Sequence, residues 1–517
     1  MTRSIGLLGR LLGAGVFFGV ACTGDLGMMT TTESDTTDSQ CPIGSLNCPC
    51  TSGFSCDSGL LCAQKTCVEQ DPGNTTTGEV TTTEDPTTQG SETTTGVTEC
   101  DGDGAGAIDP ACPSGQPYCV QGDCLDCGQL ECGQLSPSLP LCDPDTGRCA
   151  ACLCDESAPV CDPVAHLCSV CTTHSDCPDG ACDMWSGACI PASATLWVDG
   201  SAGGCNDGGD GTKTAPLCTL ATAFQRIGAA PAGSHAVRVR PGDYNVNTPL
   251  RATADHLVAL VHATGGADDP EVKIFAAAAP AIAIDSNGAL IIDRVRVQDG
   301  GNDGLSCMQG KAWLDRLTIA GTAARGMATE GCEVRLRRSV LFDNAFTGAE
   351  ISGGELRVEN TFITGNGNTQ SGGGGIYLAG GATLDAVYTT WIENYGQAGT
   401  PFSVACDDDP GSESVAVRNS VALNKGFNTL CDGSQVEDTA WSTDTAQGNN
   451  LAVPFTDLAM YLMSDGKLAG VYRAVPGTAL DQLARWKAGD PAIDFDGDDR
   501  PTGDSEPDFA GADRVVR

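Results

Sequence analysis

From about Ala194 to Asn424 the chain is built of short runs in which apolar and polar residues alternate, punctuated by Gly, Asn and Asp. Six such runs can be laid over one another: Leu290-Ile-Ile-Asp-Arg-Val295, Trp313-Leu-Asp-Arg-Leu317, Val334-Arg-Leu-Arg-Arg-Ser-Val340, Leu356-Arg-Val-Glu-Asn-Thr-Phe362, Leu384-Asp-Ala-Val-Tyr-Thr-Thr-Trp391 and Val415-Ala-Val-Arg-Asn-Ser-Val421. Their last residues are 22, 23, 22, 29 and 30 positions apart. Alternation is the period of a strand with one buried face. A nearly fixed step means that each strand buries that face against the copies before and after it. The pattern predicts a stack of parallel coils. Asn344, Asn366, Asn394 and Asn424 recur three or four residues after the last four anchors. Asn tolerates the left-handed conformation of a tight turn, and stacked Asn side chains can bond along a ladder. A leucine-rich repeat is the rival solenoid, but its Leu-x-x-Leu-x-Leu pattern does not recur.

These coils resemble the pectin-lyase-like class, a right-handed parallel β-helix. The segments Leu196-Trp-Val198, Gly211-Thr-Lys-Thr-Ala-Pro216 and Val237-Arg-Val-Arg-Pro-Gly-Asp-Tyr244 are similar to the opening of secreted β-helix repeat proteins. There a short helix, here near Thr219 to Ile227, plugs the N-terminal end. Pro491-Ala-Ile-Asp-Phe-Asp-Gly-Asp-Asp-Arg-Pro501 with Pro507-Asp-Phe-Ala-Gly511 resembles the tail motif of the same proteins. The resemblance covers residues 194–517 and implies a β-helix over 194–445 with a C-terminal extension over 446–517. It carries fold much better than function.

Upstream the texture is set by cysteine. Of 29 cysteines, Cys22 stands alone, six lie from Cys41 to Cys67, sixteen from Cys100 to Cys189, and six form the local couples Cys205/Cys218, Cys307/Cys332 and Cys406/Cys431. Even counts in small Gly- and Asp-rich blocks read as disulfides of an oxidising compartment. Cys124-x2-Cys127, Cys149-x2-Cys152 and Cys168-x2-Cys171 also have the spacing of zinc knuckles, the competing assignment. Residues 41–70 form one cysteine-rich module. Residues 100–193 repeat Cys-Asp-x5-Cys at Cys142–Cys149, Cys161–Cys168 and Cys182–Cys189, which suggests pinned hairpins stacked as a rod. Residues 22–193 hold 2 basic and 26 acidic residues, so mutual repulsion favours an extended spacer.

Arg3 and Arg10 precede the short apolar run Leu11 to Val20, too short to cross a bilayer, so residues 1–21 read as a signal peptide. Gly19-Val20-Ala21-Cys22 resembles a bacterial lipobox, which implies acylation of Cys22 and an exported, membrane-anchored lipoprotein at the outer membrane or surface of a Gram-negative bacterium. Residues 22–40 and 71–99 are Thr-rich with almost no apolar side chains, hence disordered tethers. The fold class expected is therefore mainly β: a right-handed parallel β-helix solenoid preceded by disulfide-rich small modules and disordered Thr-rich tethers.

A net charge of −39 argues against nucleic acid as a partner. The five histidines, His166, His174, His235, His256 and His262, all precede the regular coils, and neither Gly-x-Ser-x-Gly nor Gly-His-Gly occurs. Asp293 and Asp315 should stack one coil apart beside Arg294 and Arg316. Such carboxylates and bases suit a Ca2+-dependent lyase, but surface cross-strand pairing is the simpler reading. Asp494-x-Asp496-x-Asp498 begins like a calcium loop, yet Asp499 and Ser505 stand where an EF-hand needs Gly and Glu, so a turn capped by Asp is expected. Two coils exceed the common step, with extra residues at Gly372 to Gly375 and Gln397 to Glu413. The second stretch carries Asp407, Asp408 and Asp409, a candidate Ca2+ site that would bind an acidic glycan through the ion. The leading functional expectation is surface binding or adhesion through the β-helix, to glycans or cell-surface polymers. The alternatives are a polysaccharide lyase or hydrolase of this fold, or a purely structural envelope protein.

Overall fold

A computed structural model describes residues 151–515 except the short segments 265–270, 278–279, 368–372, 397–402, 408–411, 425–430, 432–433, 443–447 and 467. Before residue 151 it describes strands at 60–63, 66–69, 118–120, 123–125, 141–143 and 148–150 and a few single residues. The chain divides into two compact units, 1–95 and 96–517. In the first, Leu60–Ala63 pairs antiparallel with Thr66–Glu69, which sets Cys62 opposite Cys67.

In the second unit the chain winds from Thr195 through parallel strands on three faces. Sheet I carries 195–198, 236–239, 256–262, 289–293, 311–315, 333–337, 355–359, 383–387, 414–418 and 435–437. Sheet II begins at Gly242–Val246 and runs to Leu451–Ala452, and sheet III runs from Leu250–Ala252 to Val404–Cys406. The parallel β-helix expected from the periodicity is the fold of residues 195–452. Inward-facing residues stack in aliphatic columns, among them Leu290, Ala312, Val334, Leu356 and Leu384.

The corners refine the sequence reading. One left-handed residue turns the chain from sheet I into sheet II: Arg294, Arg316, Arg338, Asn360, Tyr388, Asn419 and Asp438 in successive coils. Each run read as one strand is thus a strand, a corner and the start of another strand. The anchors also slip by one residue three times, the last where Trp391 pairs with Ala422 rather than Val421. Val295 pairs with Leu317, but Val340 pairs with Thr318 and Phe362 with Thr390.

Two buried polar ladders hold these corners. After sheet II, Asn366 Oδ1 accepts from Asn344 N at 3.2 Å and Asn344 Nδ2 at 2.8 Å, and Asn366 Nδ2 donates to Asn394 Oδ1 at 2.9 Å and Leu341 O at 2.8 Å. Thr322 heads this ladder by donating to Asn344 Oδ1, and Asn424 Oδ1 extends it by accepting from Asn394 N. The stacked-Asn expectation holds, but the left-handed residue is the one before, namely Gly321, Asp343, Gly365 and Glu393. The Asn backbone stays ordinary, and its side chain takes up an amide N–H of the preceding coil. At the sheet I corner, Ser339 Oγ accepts from Leu317 N, Thr361 Oγ1 from Ser339 N, Ser420 Oγ from Thr389 N and Thr439 Oγ1 from Ser420 N.

The helix expected at the N-terminal end is α1, Leu220–Ala229, capped by the Thr219 side chain accepting from Thr222 N, with Leu220, Ala223, Phe224 and Ile227 buried against the first coils. Upstream, the cysteine hairpins place Cys142 opposite Cys149, Cys161 opposite Cys168 and Cys182 opposite Cys189. Two described repeats bond first to third and second to fourth: Cys152–Cys161 with Cys154–Cys168, then Cys171–Cys182 with Cys177–Cys189. The repeated Asp shapes the hairpin turn. Asp162 Oδ1 accepts from Val164 N and Ala165 N, and Asp183 Oδ1 from Trp185 N.

The last repeat lies on the outer face of sheet I. Its Ala181 and Ile190, with Met184 and Trp185 beside them, pack on Ala236, Ala259, Val261 and Ile291. At the other end the tail after Val453 returns over sheet II. Thr364 Oγ1 donates to Gly470 O, and Gly470 passes so close to the Phe342 ring that a Cβ would lie 2.8 Å from it. Phe495 meets Phe362 edge-on, and Ala512 N donates to Thr390 Oγ1.

Candidate functional site

The outer positions of sheet I fall into columns fixed by register. Trp313 pairs with Arg335, Arg335 with Arg357 and Arg357 with Asp385. In the next column Asp315 pairs with Arg337 and Arg337 with Glu359. Three arginines and a tryptophan thus come from three consecutive coils onto one surface. The tail segment Gly489 to Ala492 forms the far wall, and the whole encloses a groove of about 310 Å3. That volume is at the small end of ligand sites, which run from about 300 to 1,000 Å3.

The guanidiniums are ordered without being fully committed. Glu359 receives Arg357 Nε at 2.7 Å on one oxygen and Arg337 Nε at 3.0 Å on the other. Arg357 Nη2 also donates to Gly489 O at 3.3 Å. Arg335 is bounded by Glu333 at 3.6 Å and by two indoles, its guanidinium lying 5.1 Å from the Trp185 ring and 5.2 Å from the Trp313 ring. Trp185 and Trp313 meet edge to face at 5.4 Å, and Arg337 stands 5.6 Å from Trp313. Cations stacked on aromatic faces keep their N–H edges directed outward, which suits a planar anion. Behind the far wall, Arg418 grips Asp490 through both Nη atoms, fixing the tail segment.

The other carboxylates singled out in the sequence have structural partners. Asp293 accepts from Arg316 Nε at 2.9 Å, and Asp315 accepts from Arg338 Nε at 2.8 Å. Each pair joins a corner arginine to the preceding coil, and Arg316 Nε also stands 4.0 Å from its own neighbour Asp315. Asp293 and Asp315 are buried, so these pairs are not at the surface as expected. Burial opposes the charge of Asp315, but the hydrogen bond and charge of Arg338 outweigh it and hold the carboxyl below its usual range. Asp494 caps its own turn, Oδ1 accepting from Gly497 N at 3.1 Å and Asp498 N at 2.9 Å, as expected. Asp496 is held instead by Arg473, which also pairs with Asp465 and Asp513.

Cys205–Cys218, Cys307–Cys332 and Cys406–Cys431 are disulfides, as the local couples implied. The knuckle-spaced thiols Cys149, Cys152, Cys168 and Cys171 are each bonded to another sulfur, so the zinc reading fails there on chemistry. Asp407 follows the last strand of sheet III, and its Oδ2 accepts from Gly380 N at 3.3 Å. Cys22, Asp408 and Asp409 lie outside the described residues. By chain position 368–372 and 397–402 both fall between sheets II and III, whereas Asp407 follows sheet III at a different corner. The arginine groove went unread in the sequence although its residues stand in three of the aligned runs. No helix among the described residues is long and apolar enough to cross a membrane.

Comparison with known proteins adds little chemistry. A family of unknown function (DUF8331) matches residues 87–195, the cysteine repeats. No curated protein matches the chain. Among solved structures, the crystal structure of pectate lyase Pel9A is similar with a TM-score of 0.32 and 13% identity, over 62% of this chain and 96% of that one. A rhamnogalacturonan lyase is similar with a TM-score of 0.31 and 12% identity, over 51% of this chain and 90% of that one.

Proposed function

We propose that this chain is an exported protein, anchored through lipid on Cys22, which holds an anionic polymer against sheet I without turning it over. The observation that carries the binding reading is a local excess of cations: Arg335, Arg337 and Arg357 line one groove, against the carboxylates Glu359 and Asp490, on a chain of net charge −39. Guanidiniums recognise carboxylates through paired N–H donors, so a carboxylate-bearing glycan is the ligand class. Export is supported by the leader-like N-terminus and by the disulfide framework, which needs an oxidising compartment.

Immobilised polyuronate and an uncharged glycan of equal length test the groove with the full chain. Each lost guanidinium contact costs about 1.5–3 kcal/mol, so Arg335→Ala with Arg357→Ala is expected to weaken polyuronate capture at least about tenfold and leave the neutral glycan unchanged. Equal capture by wild type and variant overturns the reading. A Ca2+-dependent rise in ultraviolet absorbance from the polyuronate identifies a lyase instead. Ca2+ held at Asp407, Asp408 and Asp409 is a second route to the same ligand class. Changing these three to Asn abolishes that route while sparing the arginine groove.

Anchoring has its own test. The mature protein is expected in the detergent phase on phase separation, and Cys22→Ser in the aqueous phase. Unchanged partitioning removes the lipid from the proposal.

A further inference from the structure

The arginine groove is short, and the register of sheet I shows where it stops. Its floor is one outward column, Trp313, Arg335 and Arg357, with one residue per coil and a step of about 4.8 Å. The position before Trp313 in that column is Ile291, fully buried where the last cysteine repeat packs on sheet I. A chain lying along the column has no path beyond Trp313. That end of the groove is blind.

At the other end the sign changes. The position after Arg357 is Asp385, a partly exposed carboxylate one coil further on. Arg418 is attracted by Asp385 but is already gripped by Asp490, so two carboxylates share one cation there. On one flank, the neighbouring outward column sets Glu333 and Glu355 beside Arg335 and Arg357. On the other, Glu359 receives both Arg337 and Arg357. The guanidiniums are thus an island two coils wide, bordered by carboxylates on both flanks and beyond its open end. A ligand whose charges continued past Arg357 would set them against Asp385, and like charges so placed repel.

We propose that the groove takes the acidic end of a glycan chain whose following residues are uncharged, and that Asp385 sets this preference. The proposal rests on the groove being a binding site and names which part of which chain it holds. The terminal carboxylates meet Arg335 and Arg357, and the blind end at Trp313 stops the chain there. The uncharged remainder leaves past Asp385, beside the tail, with no charge to set against it. A uniformly charged chain also enters by its end, but its later carboxylates meet Asp385. A chain with its acidic residues in the middle cannot bring them to the arginines, because its neutral end runs into the closed side first.

The experiment titrates the full chain calorimetrically, at neutral pH, with three oligosaccharides of equal length. One ends in two uronates (tried at each terminus in turn), one carries two uronates in its middle, and one is uronate throughout. The acid-ended chain is expected to bind tightest. The all-uronate chain should bind about fivefold more weakly, the worth of one exposed charge contact, and the mid-acid chain weakest of the three. Asp385→Asn, nearly isosteric, should raise the all-uronate chain to the level of the acid-ended one and leave the other two unchanged. Asp385→Ser should do the same, which shows that the lost charge matters rather than the new amide. Equal binding of the acid-ended and mid-acid chains overturns the proposal, as does an all-uronate chain that matches the acid-ended one in wild type or stays weaker in both variants. Arg335→Ala with Arg357→Ala tells the two readings apart. If it leaves every affinity unchanged, the groove is not the site and the proposal falls with it; arginine-dependent binding without discrimination removes the proposal alone.

Discussion

Arg500→Ala is expected to destabilise the tail by about 3–5 kcal/mol, the usual cost of leaving a buried ionic partner uncompensated. Arg500 is only 3% exposed. It donates to Asp508 Oδ2 at 2.8 Å, to Asn360 Oδ1 at 3.0 and 3.2 Å, to Gly511 O at 3.0 Å and to Ala512 O at 3.2 Å. The Tyr388 ring lies 3.7 Å from it and the Phe509 ring 4.2 Å. Alanine would strand Asp508, 4% exposed, without its cation. Calorimetry should show a separate, earlier transition, with hydrogen exchange rising in 507–513 before the coils respond. Arg500→Lys retains the charge but loses the fork, so it should recover only part of the loss. A single transition at the wild-type temperature for Arg500→Ala would show that the tail is held by its other contacts.

The second large effect is expected at Asn366, fully buried within the ladder. Its side chain makes four of the hydrogen bonds described above, and Ala leaves Asn344 N, Leu341 O and Asn394 Oδ1 short of partners. An orphaned buried polar group costs about 1–3 kcal/mol, so Asn366→Ala should lose about 2–4 kcal/mol in total. Asn366→Asp is the sharper test. It keeps the acceptor for Asn344 but turns a carboxylate oxygen towards Leu341 O and Asn394 Oδ1, so it should be worse than Ala at neutral pH. Denaturant titration ranks the three proteins, and Asp more stable than Ala would show that Nδ2 contributes little.

The coil stack and its Asn ladder were legible because both repeat at a nearly fixed interval, and period survives in a linear sequence. The groove was not, and the cause is specific. Aligning runs by their last apolar residue slipped the register by one at Val340, and a one-residue slip turns every side chain to the opposite face. With Ser339 rather than Val340 set against Leu317, Trp313, Arg335 and Arg357 fall into one column and the basic patch becomes visible. The docking of Cys171–Cys189 and the Arg500 clamp left no periodic trace. Each joins surfaces far apart in the chain through single, unrepeated side chains. The disulfide order within the repeats was hidden for a related reason: in both four-cysteine sets described, cysteines that face each other across a hairpin bond elsewhere.

The clamp also orders events in time. Ladder bonds between neighbouring coils link residues 19 to 31 positions apart. Asn360 binds Ile493 O and Arg500 across 133 and 140 positions, and Asn419 binds Arg485 O across 66. A chain growing from its N-terminus can close each coil on the previous one as soon as that coil exists. The corners at Asn360 and Asn419 must wait for residues made much later, and until then their amides face solvent. The early coils can therefore be sound before the tail exists, whereas the outer face of sheet II stays uncovered until residues 470–512 have been made.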